Sequence, residues 1–355
     1  MPIAAVESAI SSALDAARAA VSPVSGAAAE ILEPLATIAT GGKRLRARLL
    51  VAAHDACGGG AREAAIGAAA ATELFQTAAL VHDDVLDQAD TRRGGSTIHR
   101  SLAAQHEEAG WSGAAEHFGV SAAILAGDIA LMASHLALAR AASALAPERG
   151  LAVSELFATM SQLCTAGQYA DMRLAAQPID ALADQEEHIL AMMRSKTASY
   201  TAEFPLALGA ACAGADDDVV AGLRDAGVPL GIAFQLRDDI LGLVGSPDIT
   251  GKPAGDDVRE GKRTLLMVHA WRAGDDAARR AIGAAFARPE ASDAEVAVAV
   301  EAIRDTGAVD EVERRIAAYA DQARAALEAV GERLRDEGAL SELHALLAVT
   351  TQRAA

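Results

Sequence analysis

Residues 80–95 read LVHDDVLDQADTRRGG, an apolar run that ends in aspartates and then in arginines. Upstream, from about residue 62, alanine and leucine recur every three or four positions, which is the spacing of a buried helical face. On such a helix Asp83 and Asp87 stand one turn apart on the same side, with Asp84 beside them. Like charges at that separation repel, so the arrangement needs a compensating cation. Magnesium suits it, because this hard ion binds one or two carboxylates together with phosphate oxygens. A solvated acidic helix end is the other reading of a bare D-D-x-x-D.

The same periodicity runs through the whole chain, while β-branched alternation is almost absent, so the fold class is all-α. Breaks are expected near Pro23, Pro34, the CGGG at 57–60, RRGG at 92–95, Pro147, Pro178, Pro229 and GSPDITGKPAG at 245–255, leaving about ten helical segments. Two carry chemistry: one at about 62–88, and one at about 218–244 containing PLGIAFQLRDDILGLVG. No Pro/Ser-rich linker or repeat divides the 355 residues, so one domain is expected over 1–355, with about 1–20 only partly ordered. Only 3% of the chain is aromatic, so a deep pocket would be lined by aliphatic side chains.

Composition excludes several functions. A formal charge of −18 argues against nucleic acid, which needs a basic face. Cys57, Cys164 and Cys212 are far apart and in no C-x-x-C pattern, as expected of reduced core residues rather than a disulfide framework or zinc site. The start MPIAAVESAI has no basic region ahead of an apolar run and carries Glu7 where a leader should be apolar. The longest apolar stretch, 119–139, is interrupted by Asp128 and His135, and reads as a buried core helix rather than a membrane span. A cytoplasmic protein with no integral membrane segment is the expectation.

A second acidic pair, Asp238 and Asp239 in FQLRDDILG, follows an apolar run of the same type about 155 residues later. It suggests two facing carboxylate clusters in a bundle. Basic residues sit at helix ends or glycine-rich joints: Lys43, Arg44 and Arg46, Arg92 and Arg93, Lys196 beside Thr197, and Lys252, Lys262 and Arg263. Each alone reads as a surface charge. Alternating with two acidic clusters, they supply the guanidinium, ammonium and backbone N–H groups that phosphates require, and describe a site for two diphosphates.

Five ordered segments, GGKRLR, ELFQTAALVHDDVLDQADTRRG, SKTA, FQLRDD and GKPAGDDVREGKRT, resemble the trans-isoprenyl diphosphate synthases over about residues 38–270. The resemblance implies an all-α bundle around a deep central cavity, a homodimer, and about three magnesium ions per active site. It implies that Asp83 and Asp87, supported by Asp84, hold two of these, and that Asp238, helped by Asp239, holds the third. Arg92, Lys196, Thr197, Gln235, Lys252 and Lys262 match residues that hold the allylic diphosphate. Lys43, Arg46, Gln76 and Arg93 match the isopentenyl diphosphate site, where many bacterial relatives carry His at the Gln76 position. Two departures stand out: Gly242 replaces the last aspartate of the second motif, and Ala47 stands where members often carry proline, a change of local rigidity.

The implied reaction ionises an allylic diphosphate, joins the cation to the isopentenyl double bond and loses a proton, with Asp83, Asp87, Arg92, Lys196 and Asp238 carrying the chemistry. The growing tail is expected to run down the helix ahead of Asp83, about 5.4 Å per turn. Ala78 and Ala79 are small where C15 synthases often carry aromatic stoppers. Phe75 is the first bulky residue beyond them, with Leu125, Ile129 and Met132 as possible floor partners, which points to C20 geranylgeranyl diphosphate. Phe75 reads equally as plain core packing, in which case longer products follow. The rival functions are a class I terpene cyclase, which would not need Lys43, Arg46 and Arg93, and a non-catalytic partner subunit, whose one support is Gly242.

Overall fold

Small side chains set the architecture. The computed structural model describes residues 3–24, 27–92, 94–245 and 255–351, and these are almost wholly helical. They divide into two compact units, each assembled from separated stretches of chain. The first comprises Met1–Phe157, Pro205–Val220 and Arg335–Ala339; the second comprises Ala158–Phe204, Ala221–Leu334 and Leu340–Ala355.

In the first unit the helices run α1 (Ile3–Val21), α2 (Ala27–Ala39), α3 (Leu45–Ala56), α4 (Arg62–Leu86), α5 (Ile98–Glu108) and α6 (Ala115–Ser143), with α7 (Pro147–Ala175) beginning here. Ala78 and Val81 of α4 share a buried cluster with Ala122, Ala123, Ala126 and Ala130 of α6. Alanine at facing positions lets the two backbones approach closely. The Ser134 hydroxyl of α6 takes advantage of that approach and donates to the Ala71 carbonyl at 2.8 Å. Of residues 1–20, expected to be only partly ordered, the described stretch from Ile3 belongs to α1. Val6, Ile10 and Ala13 form a buried stripe along α1, so its weak amphipathic pattern is enough to dock it.

The second unit holds the rest of α7, a 3₁₀ turn (Ile179–Asp184), α8 (Glu186–Met193), a π-helix (Arg194–Glu203) and most of α10 (Asp217–Val244). It continues through α11 (Asp256–Arg259), α12 (Leu265–Ala273), α13 (Asp276–Ala285), α14 (Asp293–Asp305) and α15 (Ala308–Gly331). Its core joins Met193, Leu236, Ile240, Leu265, Ile303 and Ile316. The wide π-helix fits because Gly167 of α7 and Gly231 of α10 have no side chains: a Cβ on either would strike the backbone of Lys196 or Ala198. The remaining helices are α9 (Phe204–Ala213) and α16 (Glu337–Thr351).

Two expected breaks are absent: Pro34 lies inside α2 and Pro229 inside α10. A proline removes one helical hydrogen bond, and the packing of the flanking turns outweighs that loss. The expected joint at 245–255 falls mostly outside the described residues. Three helices, Arg62–Leu86, Ala115–Ser143 and Asp217–Leu243, are long and apolar enough to cross a membrane by length and composition alone. Cys57 and Cys212 are buried, and burial pushes their thiols up to about 11 and about 12, so they are inert core residues.

Candidate active site

The first cluster forms where α4 ends. Asp83 and Asp84 lie in its last turn, and Asp87 is its C-cap, with its backbone N–H bonded to the Asp83 carbonyl at 2.8 Å. A two-residue hairpin, β1 (Thr91–Arg92) against β2 (Gly95–Ser96), turns the chain back. Arg92 then reaches the aspartates: Nε donates to Asp84 Oδ1 at 2.7 Å, Nη2 lies 2.5 Å from the same oxygen, and Nη2 is 3.7 Å from Asp83 Oδ2.

Arg92 thus supplies a compensating charge for the acidic motif. Burial alone would lower the pKa of its guanidinium, but the Asp84 bond and the charges of Asp84, Asp83 and Asp87 outweigh it and raise that pKa. Asp84, expected to support the metal ligands, is 1% exposed and committed to Arg92. Burial nevertheless raises its carboxyl above the usual range. Asp83 is partly exposed and Asp87 exposed.

Of the residues matched to isopentenyl diphosphate, Lys43 and Arg46 lie at the start of α3 and Gln76 lies on α4. Lys43 is exposed, while Arg46 and Gln76 are half-buried. Arg93 lies outside the described residues. Ala47 does more than change rigidity: its N–H donates to Glu73 Oε1 at 3.0 Å, a bond no proline can make.

The second cluster forms in the second unit. Thr197 Oγ1 donates to Gln235 Oε1 at 2.9 Å, and Gln235 Nε2 donates to Asp239 Oδ1 at 2.8 Å. Lys262 Nζ stands 3.3 Å from both Asp239 and Asp257, and Lys196 Nζ donates to Asp171 Oδ2 at 2.5 Å. Asp239 is almost fully buried, and burial raises its carboxyl despite Lys262. Burial would lower the Lys262 ammonium, yet Asp257, Asp239 and Asp171 hold it well above its ordinary value. Asp238 is half-buried on α10 beside Arg237, which is ion-paired with Glu313 of α15. Lys252 lies outside the described residues.

Sequence reasoning missed Asp171 and Asp257. The acidic pair Asp256–Asp257 within a lysine-bearing motif was a usable signal; Asp171, inside an ordinary helical pattern, offered none. Asp257 also answers the Gly242 departure, because its carboxylate fills the space in which a side chain at 242 would lie. Asp239, Asp257 and Lys262 line a small cavity in this unit.

Phe75 is 5% exposed and meets Phe157 edge-on, ring centroids 6.0 Å apart, and Phe157 meets His135 at 5.7 Å. Leu125 and Met132 are 54% and 69% exposed, so they do not back Phe75; α6 turns that side outward. Ile129 is partly buried against the α4–α6 seam. Ala78 belongs to this seam as well, whereas Ala79, about 100° further round α4, remains partly exposed on the Phe75 side.

The donor set fits magnesium. No group of three or more His, Cys, Asp or Glu side chains able to hold a metal occurs among the described residues, so neither cluster is an all-protein cage. Oxygen-only carboxylates offered in ones and twos are how magnesium is held beside phosphate.

The polyprenyl synthetase family profile matches residues 28–303. A geranylgeranyl diphosphate synthase of Sulfolobus acidocaldarius is 37% identical over 229 residues, which span 64% of this chain and 63% of that one. The Mycobacterium tuberculosis geranylgeranyl diphosphate synthase is 36% identical over 338 residues, 88% of this chain and 89% of its own. Among solved structures, geranylgeranyl pyrophosphate synthase from Corynebacterium glutamicum, complexed with isoprenyl diphosphate and magnesium, superposes with a TM-score of 0.90 at 36% identity, covering 99% of this chain and 98% of that one. Carboxylate clusters, interleaved cations and helical architecture therefore agree with the kinship: the chain belongs to the polyprenyl synthetase family, as a trans-prenyltransferase with the all-α isoprenyl synthase fold.

Proposed function

We propose that the chain condenses isopentenyl diphosphate head to tail with an allylic diphosphate, giving C20 all-trans geranylgeranyl diphosphate. The observation that carries this reading is Arg92, drawn by its hairpin onto Asp84 and beside Asp83, so that one motif presents cation and carboxylates together. Asp83 and Asp87 would hold two magnesium ions and Asp238, with Asp239 behind it, a third; bound metal neutralises charge developing on the departing diphosphate.

The protein's own groups do the rest. Arg92, Lys196, Thr197, Gln235, Lys252 and Lys262 bind the allylic diphosphate. Its C–O bond breaks with the electron pair leaving on diphosphate, and the cations stabilise that charge. Lys43, Arg46, Gln76 and Arg93 hold isopentenyl diphosphate with its double bond toward the allylic carbon. The new C–C bond forms and a proton leaves to the released diphosphate. Asp84 anchors Arg92, and Asp171 orients Lys196. Small Ala79 ahead of the Phe75–Phe157 pair supports a C20 limit.

The assembly we propose is a homodimer in the cytoplasm, soluble despite its apolar helices. Ile124, Leu125, Met132 and Leu136 leave an exposed apolar face on α6, which a second copy would cover. Incubation with magnesium, isopentenyl diphosphate and C5, C10 or C15 starters, read by product chromatography, tests the activity. Elongated C20 diphosphate supports it, hydrocarbons or alcohols from one substrate indicate a cyclase, and no turnover indicates a partner subunit.

A further inference from the structure

Arg44 is flanked by two of the proposed isopentenyl diphosphate cations, yet its own side chain is only 6% exposed. Its Nε and Nη2 donate to the two oxygens of Glu7 on α1, at 2.6 and 2.9 Å. Nη2 also donates to the Ala39 carbonyl at 2.6 Å, and Nη1 to Glu73 Oε2 of α4 at 3.4 Å. The other oxygen of Glu73 accepts the Ala47 N–H, one of the first-turn donors of α3 that has no intrahelical acceptor. Arg44 itself is the N-cap of α3 and makes no side-chain cap.

Its backbone is left-handed, φ 48 and ψ 43, a conformation that a residue with a side chain keeps only when its surroundings enforce it. Here the enforcement comes from three helices. Glu73 is also one turn before Gln76 on the same side of α4. The same carboxylate therefore fixes the start of α3, where Lys43 and Arg46 lie, against the α4 turn that carries Gln76.

We infer that Arg44, Glu73 and Glu7 are positioning residues for isopentenyl diphosphate: they hold Lys43 and Arg46 in register with Gln76, and α1 is part of that support. This rests on the reading that Lys43, Arg46 and Gln76 bind that substrate. The network touches no reacting atom, and no group of the allylic diphosphate set belongs to it.

Steady-state kinetics of the full chain, varying each substrate with the other saturating, tests this with Arg44→Lys, Glu73→Gln, Glu7→Gln and, as reference, Lys43→Ala. The expected result is a rise of about tenfold in KM for isopentenyl diphosphate in the three network variants, with KM for the allylic substrate within about twofold. Equal rises in both KM values, or none, overturn the positioning role while a raised KM in Lys43→Ala leaves the binding reading intact. An unchanged KM in Lys43→Ala overturns the binding reading and the positioning role with it. Glu7, with 36% of its side chain exposed, tolerates substitution best, so Glu7→Gln decides the matter if a buried variant does not fold.

Discussion

The carboxylate of Asp257 occupies the space that a side chain on Gly242 would need. The missing aspartate of the second motif is thus a local exchange, since an acidic group from α11 arrives where the α10 position has none. Gly242→Asp, which restores the familiar motif, is expected to lower both stability and turnover. Overpacking costs about 1–3 kcal/mol, and displacing Asp257 also strips a partner from Lys262. Thermal melts and initial rates check it, and a gain in activity in Gly242→Asp would refute the exchange. The double variant Gly242→Asp/Asp257→Gly should recover part of the loss.

Asp83→Ala should lower elongation by about 10²–10³-fold or more, the scale of losing one electrostatic group in a site. Its far-UV circular dichroism should stay helical, because Asp83 is a partly exposed residue in the last turn of α4. Chelating magnesium from the wild-type protein should reproduce the loss, and readdition should reverse it. Full turnover in Asp83→Ala would remove this residue from the metal site.

Phe75 and Phe157 should act together on product length. Phe75→Ala and Phe157→Ala are each expected to shift products beyond C20, at a cavity cost of about 3–5 kcal/mol in stability. Leu125→Ala and Met132→Ala should leave the product profile alone, since both side chains point outward in the chain. Chromatography of products from the four variants gives the answer; an unchanged profile in Phe75→Ala would make this ring plain packing.

Glu186 offers a pH test away from the chemistry. Burial would raise its carboxyl, but hydrogen bonds from Arg272 and Arg315, with their charges, hold it below the ordinary value of 4.5. A depressed folded-state pKa adds stability that is fully present above 4.5 and fades as pH falls through the folded value. Glu186→Gln should therefore cost more stability at neutral pH than at an acid pH below 4.5. Denaturant melts at the two pH values measure the difference; an equal deficit at both would exclude the ion pairs as its source.

Much of the chemistry could be read before the fold was known. Asp83, Asp87, Arg92, Lys196 and Asp238 stood out as candidates because a motif keeps residue types at fixed separations along one helix or one turn. Partners from distant stretches did not. Asp171 to Lys196 and Glu73 to Ala47 span different helices, and nothing near Asp171 distinguishes it from a surface charge. Periodicity likewise gives the angle between Ala78 and its neighbours on α4 but not that Ala78 meets α6.

Sequence alone determined the helical class, through apolar spacing, and the type of chemistry, through aspartates and cations placed at helix ends. Only the tertiary structure decided which charges support others and which stay exposed. Asp84 became an anchor for Arg92, Asp257 took the place left by Gly242, and α1 docks through its buried stripe and the Glu7–Arg44 pair. The physical reason is common to all three. Burial and ion pairing depend on what packs opposite a residue, and that neighbour comes from another part of the chain.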